Sequence, residues 1–363
     1  MKYQVAALCV MVAGTGAAYA DKVERSGQSI LPLFEPGGYA EVSFGHVKPS
    51  VTGKAGGADS GNVVGSYWPV GIAYKQQMTD AFSLGFIYDR PFGANVNYPR
   101  GTGYPIDGTT AELRTDAFTI LGNYRFDNGF GVHGGVRIQR LSATADIIFP
   151  SPPFPDRLVY RVNGASDEGL GYVLGVSYEI PEIALRMALT YNSEIKTKLP
   201  TSESFNGVDV PPSTTAVTTP QSVNLDLQTG IAQDTLLFGG IRWVDYSAFV
   251  IDPQNYPDVE PLLYYRDDTW SYSLGVGRRF TENWSGSLAL SYEKGGNSNE
   301  VSNLGPTNGQ YGVTLGARYE DGPYSLAAGV NYMRLGDATT QVVDGQFDDN
   351  DAVGIGIKLG YRF

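Results

Sequence analysis

The chain has 363 residues, with 26 Lys and Arg against 38 Asp and Glu and a formal net charge of −12, which excludes a nucleic-acid partner because such a partner requires a basic surface. Only 18% of the residues are charged, yet there are 24 Tyr, 16 Phe and 46 Gly, a balance unlike that of an ordinary soluble enzyme and suggestive of a membrane barrel. The single cysteine, Cys9, lies in the leading segment, so disulfides, a thiolate nucleophile and Cys-ligated metals are excluded from the remainder.

Lys2 precedes an apolar run from Val5 to Ala13 and then Ala18-Tyr19-Ala20, the layout of a secretory signal peptide with a small-residue cleavage site. Residues 1–20 read as that peptide, 21–37 as a short segment ahead of the first strand, and 38–363 as a barrel. Beyond Ala20 no apolar run approaches the ~18 to 20 residues that a membrane helix needs. Six tight hairpin turns follow in order: Gln77 to Phe82, Phe126 to Phe130, Glu179 to Ala184, Ile231 to Leu236, Phe280 to Trp284 and Glu320 to Tyr324. Between them lie seven longer stretches rich in Gly, Pro, Ser, Thr and Asp, at 49–65, 93–110, 143–165, 197–220, 250–268, 294–309 and 336–350. Strict alternation of short and long connections predicts an all-β, antiparallel transmembrane β-barrel of about 14 strands, an even number within the range of outer-membrane barrels. Both termini then sit on the short-turn, periplasmic side of a Gram-negative outer membrane, among outer-membrane lipid and lipopolysaccharide.

The segments beside the turns alternate with period two. Phe82, Leu84, Phe86 and Tyr88 share a face, as do Tyr172, Leu174, Val176 and Tyr178, then Trp284, Leu288, Leu290 and Tyr292, and finally Val353, Ile355, Ile357, Leu359, Tyr361 and Phe363. Aromatics at the ends and aliphatics in the middle match a hydrocarbon band about 25 Å tall with aromatic girdles. The opposite face carries Arg137, Arg186, Arg318, Glu179, Glu320, Lys358 and much glycine. A dry core would not accept so many charges, because an unpaired buried ion costs several kcal/mol. The three arginines are therefore placed in the lumen, paired with Glu179, Glu320 or a passing anion. The final Phe363, with Tyr361 two before it, resembles the C-terminal signature that barrel assembly machinery reads.

Catalytic signals are weak. His46 and His133 are the only histidines; neither accompanies a Gly-x-Ser-x-Gly elbow or a zinc-ligand spacing. They read as a rim residue and a lumen-facing residue, with no catalytic group, cofactor or metal site. The acidic run Asp348-Asp349-Asn350-Asp351 lacks EF-hand spacing and reads as a solvated loop. More informative is the stretch from Asn255, where Leu262, Leu263 and Tyr264 stand beside Arg266. With Phe249 they form a candidate hydrophobic capture groove, in which Arg266 is available to a carboxylate.

Several segments resemble the FadL family of outer-membrane transporters for long-chain fatty acids and other hydrophobic compounds: MALTYNSEIK (Met187 to Lys196), RWVDYSAFVI (Arg242 to Ile251), YSLGVGRRFTENWSGSLALSYE (Tyr272 to Glu293) and PFGANVNYP (Pro91 to Pro99). The resemblance implies a monomeric barrel of fourteen strands closed by an N-terminal plug, with an inward kink in the third strand that opens a side route into the membrane. Its passive cargo is a long-chain fatty acid or other hydrophobic small molecule. The family's Asn-Pro-Ala plug motif is replaced here by Phe34-Glu35-Pro36-Gly37, so residues 21–37 make a short plug. At the third-strand gate, Asp89-Arg90-Pro91, followed by Phe92 and Gly93, admits either a kink or an ordinary strand end. The alternative function is a general porin or a structural outer-membrane barrel with binding loops.

Overall fold

The alternating segments form strands, each paired with a neighbour on both sides. The computed structural model describes residues 22–150, 157–296 and 300–363; the expected signal peptide lies outside the described residues. Fourteen strands make the barrel wall: β1 Tyr39–Ser50, β2 Val70–Gln77, β3 Phe82–Asp89, β4 Thr110–Arg125, β5 Phe130–Phe149, β6 Leu158–Ile180, β7 Leu185–Asn192, β8 Ser222–Ala232, β9 Thr235–Val244, β10 Thr269–Arg279, β11 Trp284–Glu293, β12 Gln310–Asp321, β13 Tyr324–Leu335 and β14 Asp351–Arg362. Each pairs antiparallel with its sequence neighbour. The first and last strands close the ring, in register from Tyr39↔Arg362 to Ser50↔Asp351. The six expected tight turns all join successive strands at one end, and the long connections all lie at the other.

Two expected loops are instead largely strand. The stretch 143–165 continues β5 to Phe149 and starts β6 at Leu158, while 197–220 holds a hairpin of Ile195–Phe205 with Ser213–Thr219. These segments have risen beyond the hydrocarbon band, so their outward positions lose the aliphatic alternation used to recognise a strand. Asp146 and Arg161, directly opposite across β5 and β6, form an outward ion pair at 2.8 Å where deeper positions carry Val or Leu. The backbone ladder persists because pairing, not side-chain polarity, satisfies its N–H and C=O groups.

The wall has two unlike faces. Leu174, Leu274, Leu290, Leu315 and Ile355 are exposed outward, whereas Arg137, Arg186, Arg318, Thr190 and Asn192 are buried inward. Tyr172, Trp270, Tyr292 and Tyr332 at one level, and Trp284, Tyr324 and Tyr361 at the other, flank the aliphatic band with exposed aromatic rings. The last strand presents Ile355, Ile357, Leu359, Tyr361 and Phe363 to the outside, each more than two-fifths exposed.

The two faces predict unequal responses to one substitution. Leu315→Arg, outward in mid-wall, is expected to destabilise the barrel in lipid by about 2–4 kcal/mol. Ser287→Arg, beside the lumen cavity, is expected to cost much less. Reversible urea unfolding in lipid vesicles measures both; equal losses would contradict the assignment of faces.

Candidate functional site

At the long-loop end the interior is apolar. Leu113 on β4, Ala145 on β5 and Val162 on β6 face Leu199 of the outer hairpin and Ile251, Leu262 and Leu263 of the 245–268 connection. They enclose a chamber of ≈ 40 Å³. The same packed cluster contains Tyr160, Tyr246, Phe249, Val23 and Phe92, so it runs without a break from the chamber to the N-terminal segment and to the chain just after β3. The connection is tied down by Glu203. Tyr160 Oη and the Asn255 N–H donate to its Oε1 at 2.6 and 3.0 Å, and Asn255 Nδ2 and Ser213 Oγ donate to Oε2 at 2.8 and 2.9 Å. Burial works to raise the pKa of this carboxyl, but those donors outweigh it and hold the group below the usual carboxylate value.

The N-terminal segment 22–38 lies inside the barrel and is fastened at two levels. Near the chamber, Glu24 and Arg242 of β9 form a buried ion pair at 2.6 Å. Arg242 also donates to Ser222 Oγ, Asn224 Oδ1 and Gln28 Oε1. Ser222 accepts from Asn192, which in turn accepts from Arg137, so one hydrogen-bonded network links β5, β7, β8, β9 and the segment. At the short-turn end, Arg362 bridges Glu35 at 2.9 Å and Glu320 at 3.1 Å, and Arg318 pairs with Glu320 at 2.8 Å. Between these anchors the turn Leu31–Phe34 puts Leu33 against the wall, where a Cβ on Gly85 would stand 2.3 Å from Leu33 Cδ1. A side chain at Gly85 would oblige Leu33 to shift. Beside the segment lies a lumen cavity of ≈ 280 Å³, whose lining mixes serines such as Ser43, Ser273 and Ser287 and the charged Asp226, Arg186 and Lys358 with apolar residues including Val70, Phe238 and Ile241.

The wall itself is irregular at one place. The β2–β3 ladder ends at Ile72↔Tyr88 and the two chains meet again only at Val64↔Val96, where the Gly65 N–H donates to Asn95 O at 2.8 Å. On the β4 side, pairing passes from Asp89↔Ala117 to Gly93↔Arg114. Arg90, Pro91 and Phe92 thus face Thr115 and Asp116, three residues against two, which is a bulge. The N-terminal segment supplies the missing backbone partners: Arg25 N–H donates to Pro91 O at 2.8 Å and Gly93 N–H to Val23 O at 2.7 Å. The Arg25 guanidinium stacks 3.9 Å from the Tyr67 ring centroid, alongside the interruption. The lumen cavity reaches this part of the wall at Pro69, Val70, Gly71 and Asp89.

Of the capture residues chosen from sequence, the fold brings Phe249, Leu262 and Leu263 together in the apolar cluster. Tyr264 is half-buried and its hydroxyl meets Gln341. Arg266 is exposed and lies against Tyr264 rather than beside the chamber. Arg137 is engaged by Thr119 and Asn192, Arg186 by Gln228 and the Phe34 ring, and Arg318 by Glu320. Pro91, Phe92 and Gly93 form the buried excursion after β3; Glu35 carries the lower anchor, while Pro36 and Gly37 are exposed beside it. Sequence reasoning passed over Lys22, Glu24, Arg25, Glu203 and Arg242. The alternating charges from Lys22 to Arg25, immediately after the expected cleavage site, are the signal that could have drawn notice to the first three.

The family model described as outer membrane protein transport protein (OMPP1/FadL/TodX) matches residues 38–363. Among solved structures, a FadL homologue of Pseudomonas aeruginosa agrees with a TM-score of 0.77 at 15% identity, covering 92% of each chain. The toluene transporter TodX of P. putida gives 0.68 at 13%, again over 92% of each chain, and the toluene transporter TbuX of Ralstonia pickettii 0.63 at 14%, over 92% of this chain and 91% of that one. No curated protein sequence matches.

The upper anchor can be tested directly. Arg242→Met leaves the Glu24 carboxylate buried without its partner, a loss of about 3–5 kcal/mol of local stability. Hydrogen exchange at the Gly93 amide, which bonds to Val23, is expected to accelerate accordingly. Glu24→Gln should have a smaller effect, because Arg242 keeps Ser222, Asn224 and Gln28.

Proposed function

We propose, from the premise that this chain belongs to the OMPP1/FadL/TodX family of outer membrane transport proteins, that it passes long-chain fatty acids or other hydrophobic small molecules inward by diffusion, with sideways release into the membrane. Cargo enters from the outer side at the long loops, with both termini periplasmic, and settles in the apolar chamber. The chamber of ≈ 40 Å³ is smaller than the roughly 150 Å³ that holds a benzene ring. Entry therefore requires the connection bearing Leu262 and Leu263 to shift. Each methylene that leaves water contributes about 0.8 kcal/mol, a gain that is reduced beside the charged groups of the lumen below, Asp226, Arg186 and Lys358. The N-terminal segment acts as the plug of that lumen.

The single observation that supports sideways release is the interrupted β2–β3 ladder beside the cavity and the Val23–Arg25 contact. A hydrophobic molecule leaving there moves from apolar packing to lipid without crossing polar lumen. Withdrawal of Arg25 from Tyr67 would widen the gap. Transport of this kind asks for no bond to be made or broken, so no catalytic role is assigned. The closed ladder completes the barrel with one chain, consistent with a monomer, and Phe363 stands where assembly machinery would read it. In this reading the outer loops and rim meet lipopolysaccharide.

Gly71→Trp, which fills the lumen side of the gap, is expected to add about 1.4 kcal/mol or more to the transfer barrier and so slow uptake of a radiolabelled hydrophobic compound by roughly tenfold. Uptake at the unchanged rate with the barrel intact would discard the side route. In planar bilayers the protein is expected to show no steady ion current, the property that separates it from an open porin.

A further inference from the structure

Resting on that transport reading, the geometry points to a chamber that accepts uncharged hydrophobic molecules and turns ionised carboxylates away, with Glu203 as the residue that sets this preference. Alternation along the outer hairpin puts Leu199, Thr201 and Glu203 on one inward face. Leu199 lines the chamber, and Tyr160, which donates to Glu203, belongs to the same apolar cluster. Glu203 is 3% exposed, and both its oxygens are saturated by the four donors from Tyr160, Asn255 and Ser213. It is therefore held as an anion by four neutral donors.

Among the described residues, the cations on the neighbouring elements are engaged elsewhere, Arg161 with Asp146 on the outer face. Lys22 is bound to Asp267 O and Thr269, Arg242 to Glu24, and Arg266 stands outside against Tyr264. The lining hydroxyl of Thr215 is shared with Thr201 at 2.8 Å. A carboxylate entering the chamber would lose its water, find the Thr215 hydroxyl already shared, and approach a like charge on Glu203, the cross-strand partner of the lining residue Val162; a neutral molecule of the same shape suffers none of these penalties. This reverses the role that Arg266 would have played in a capture groove for fatty-acid anions.

Matched probes test the inference. Para-fluorotoluene and para-fluorobenzoate share a ring and differ in charge, and fluorine NMR of the protein in nanodiscs at neutral pH reports binding of each. The component lost in Ala143→Trp, which fills the chamber from β5, isolates chamber binding from lipid partitioning. Chamber binding of fluorotoluene is expected to exceed that of fluorobenzoate by roughly a hundredfold. Glu203→Gln is expected to narrow that ratio by about tenfold. Asn255→Ala, which loosens the same connection but keeps the carboxylate, should leave the ratio in place. Equal wild-type binding of the two probes, or equal effects of the Gln and Ala variants on the ratio, overturns the selectivity while transport stands. If neither probe senses Ala143→Trp, the chamber is not a binding site and the transport reading falls with it.

Discussion

The structure depends on one constraint: a chain surrounded by hydrocarbon must satisfy every backbone N–H and C=O from within. A sheet meets it only by closing, and the twelve-residue pairing of β1 with β14 is the closure. Once the ring is shut, period two does the rest. Each strand sends one row of side chains to lipid and the next row to the lumen, so the exposed leucines and the buried arginines are consequences of a single geometry.

A ring of this size leaves a wide interior, and its contents separate by height. Below the chamber the lumen is occupied by residues 22–38 and by charge pairs that exist because the interior row is polar. Above it, where β4, β5 and β6 outrun the band and the 195–219 hairpin folds across, the interior row turns to Leu, Val and Ala. The transition coincides with Glu24–Arg242, whose partners come from the segment and from the wall. The charged groups of the lower interior and the apolar packing of the upper one differ in what they offer a hydrophobic cargo, which is the physical ground for the proposed exit through the wall.

Much of this was legible in sequence because the lipid boundary imposes a repeating rule. The turns, the strand count and the faces follow from alternation between aromatic girdles, and the 14-strand closure agrees. Where lipid ceased to apply the rule, legibility failed: the Asp146–Arg161 level and the 195–219 hairpin looked like loops because their outward residues answer to water. The chamber was partly visible, since Phe249, Leu262 and Leu263 form an apolar cluster in a loop. Its wall was not. Val162 and Leu199 come from two other elements, and only the register that pairs Thr201↔Gly164 and Glu203↔Val162 brings them together there.

The same constraint bears on the interruption after β3. A gap in a ladder facing lipid should carry unsatisfied peptide groups, and Pro91 has already removed one donor. Two of the remaining groups, Pro91 O and Gly93 N–H, turn inward to Arg25 and Val23, so the N-terminal segment serves as a substitute strand where β2 has departed. Irregular backbone is tolerated at membrane depth when protein or a cavity stands behind it. The exchange couples two parts of the molecule: if residues 23–26 move, those two groups lose their partners at the moment the gap loses the Arg25 side chain. On the proposed side route, opening would carry an intrinsic cost in unpaired peptide groups, which would favour return of the segment.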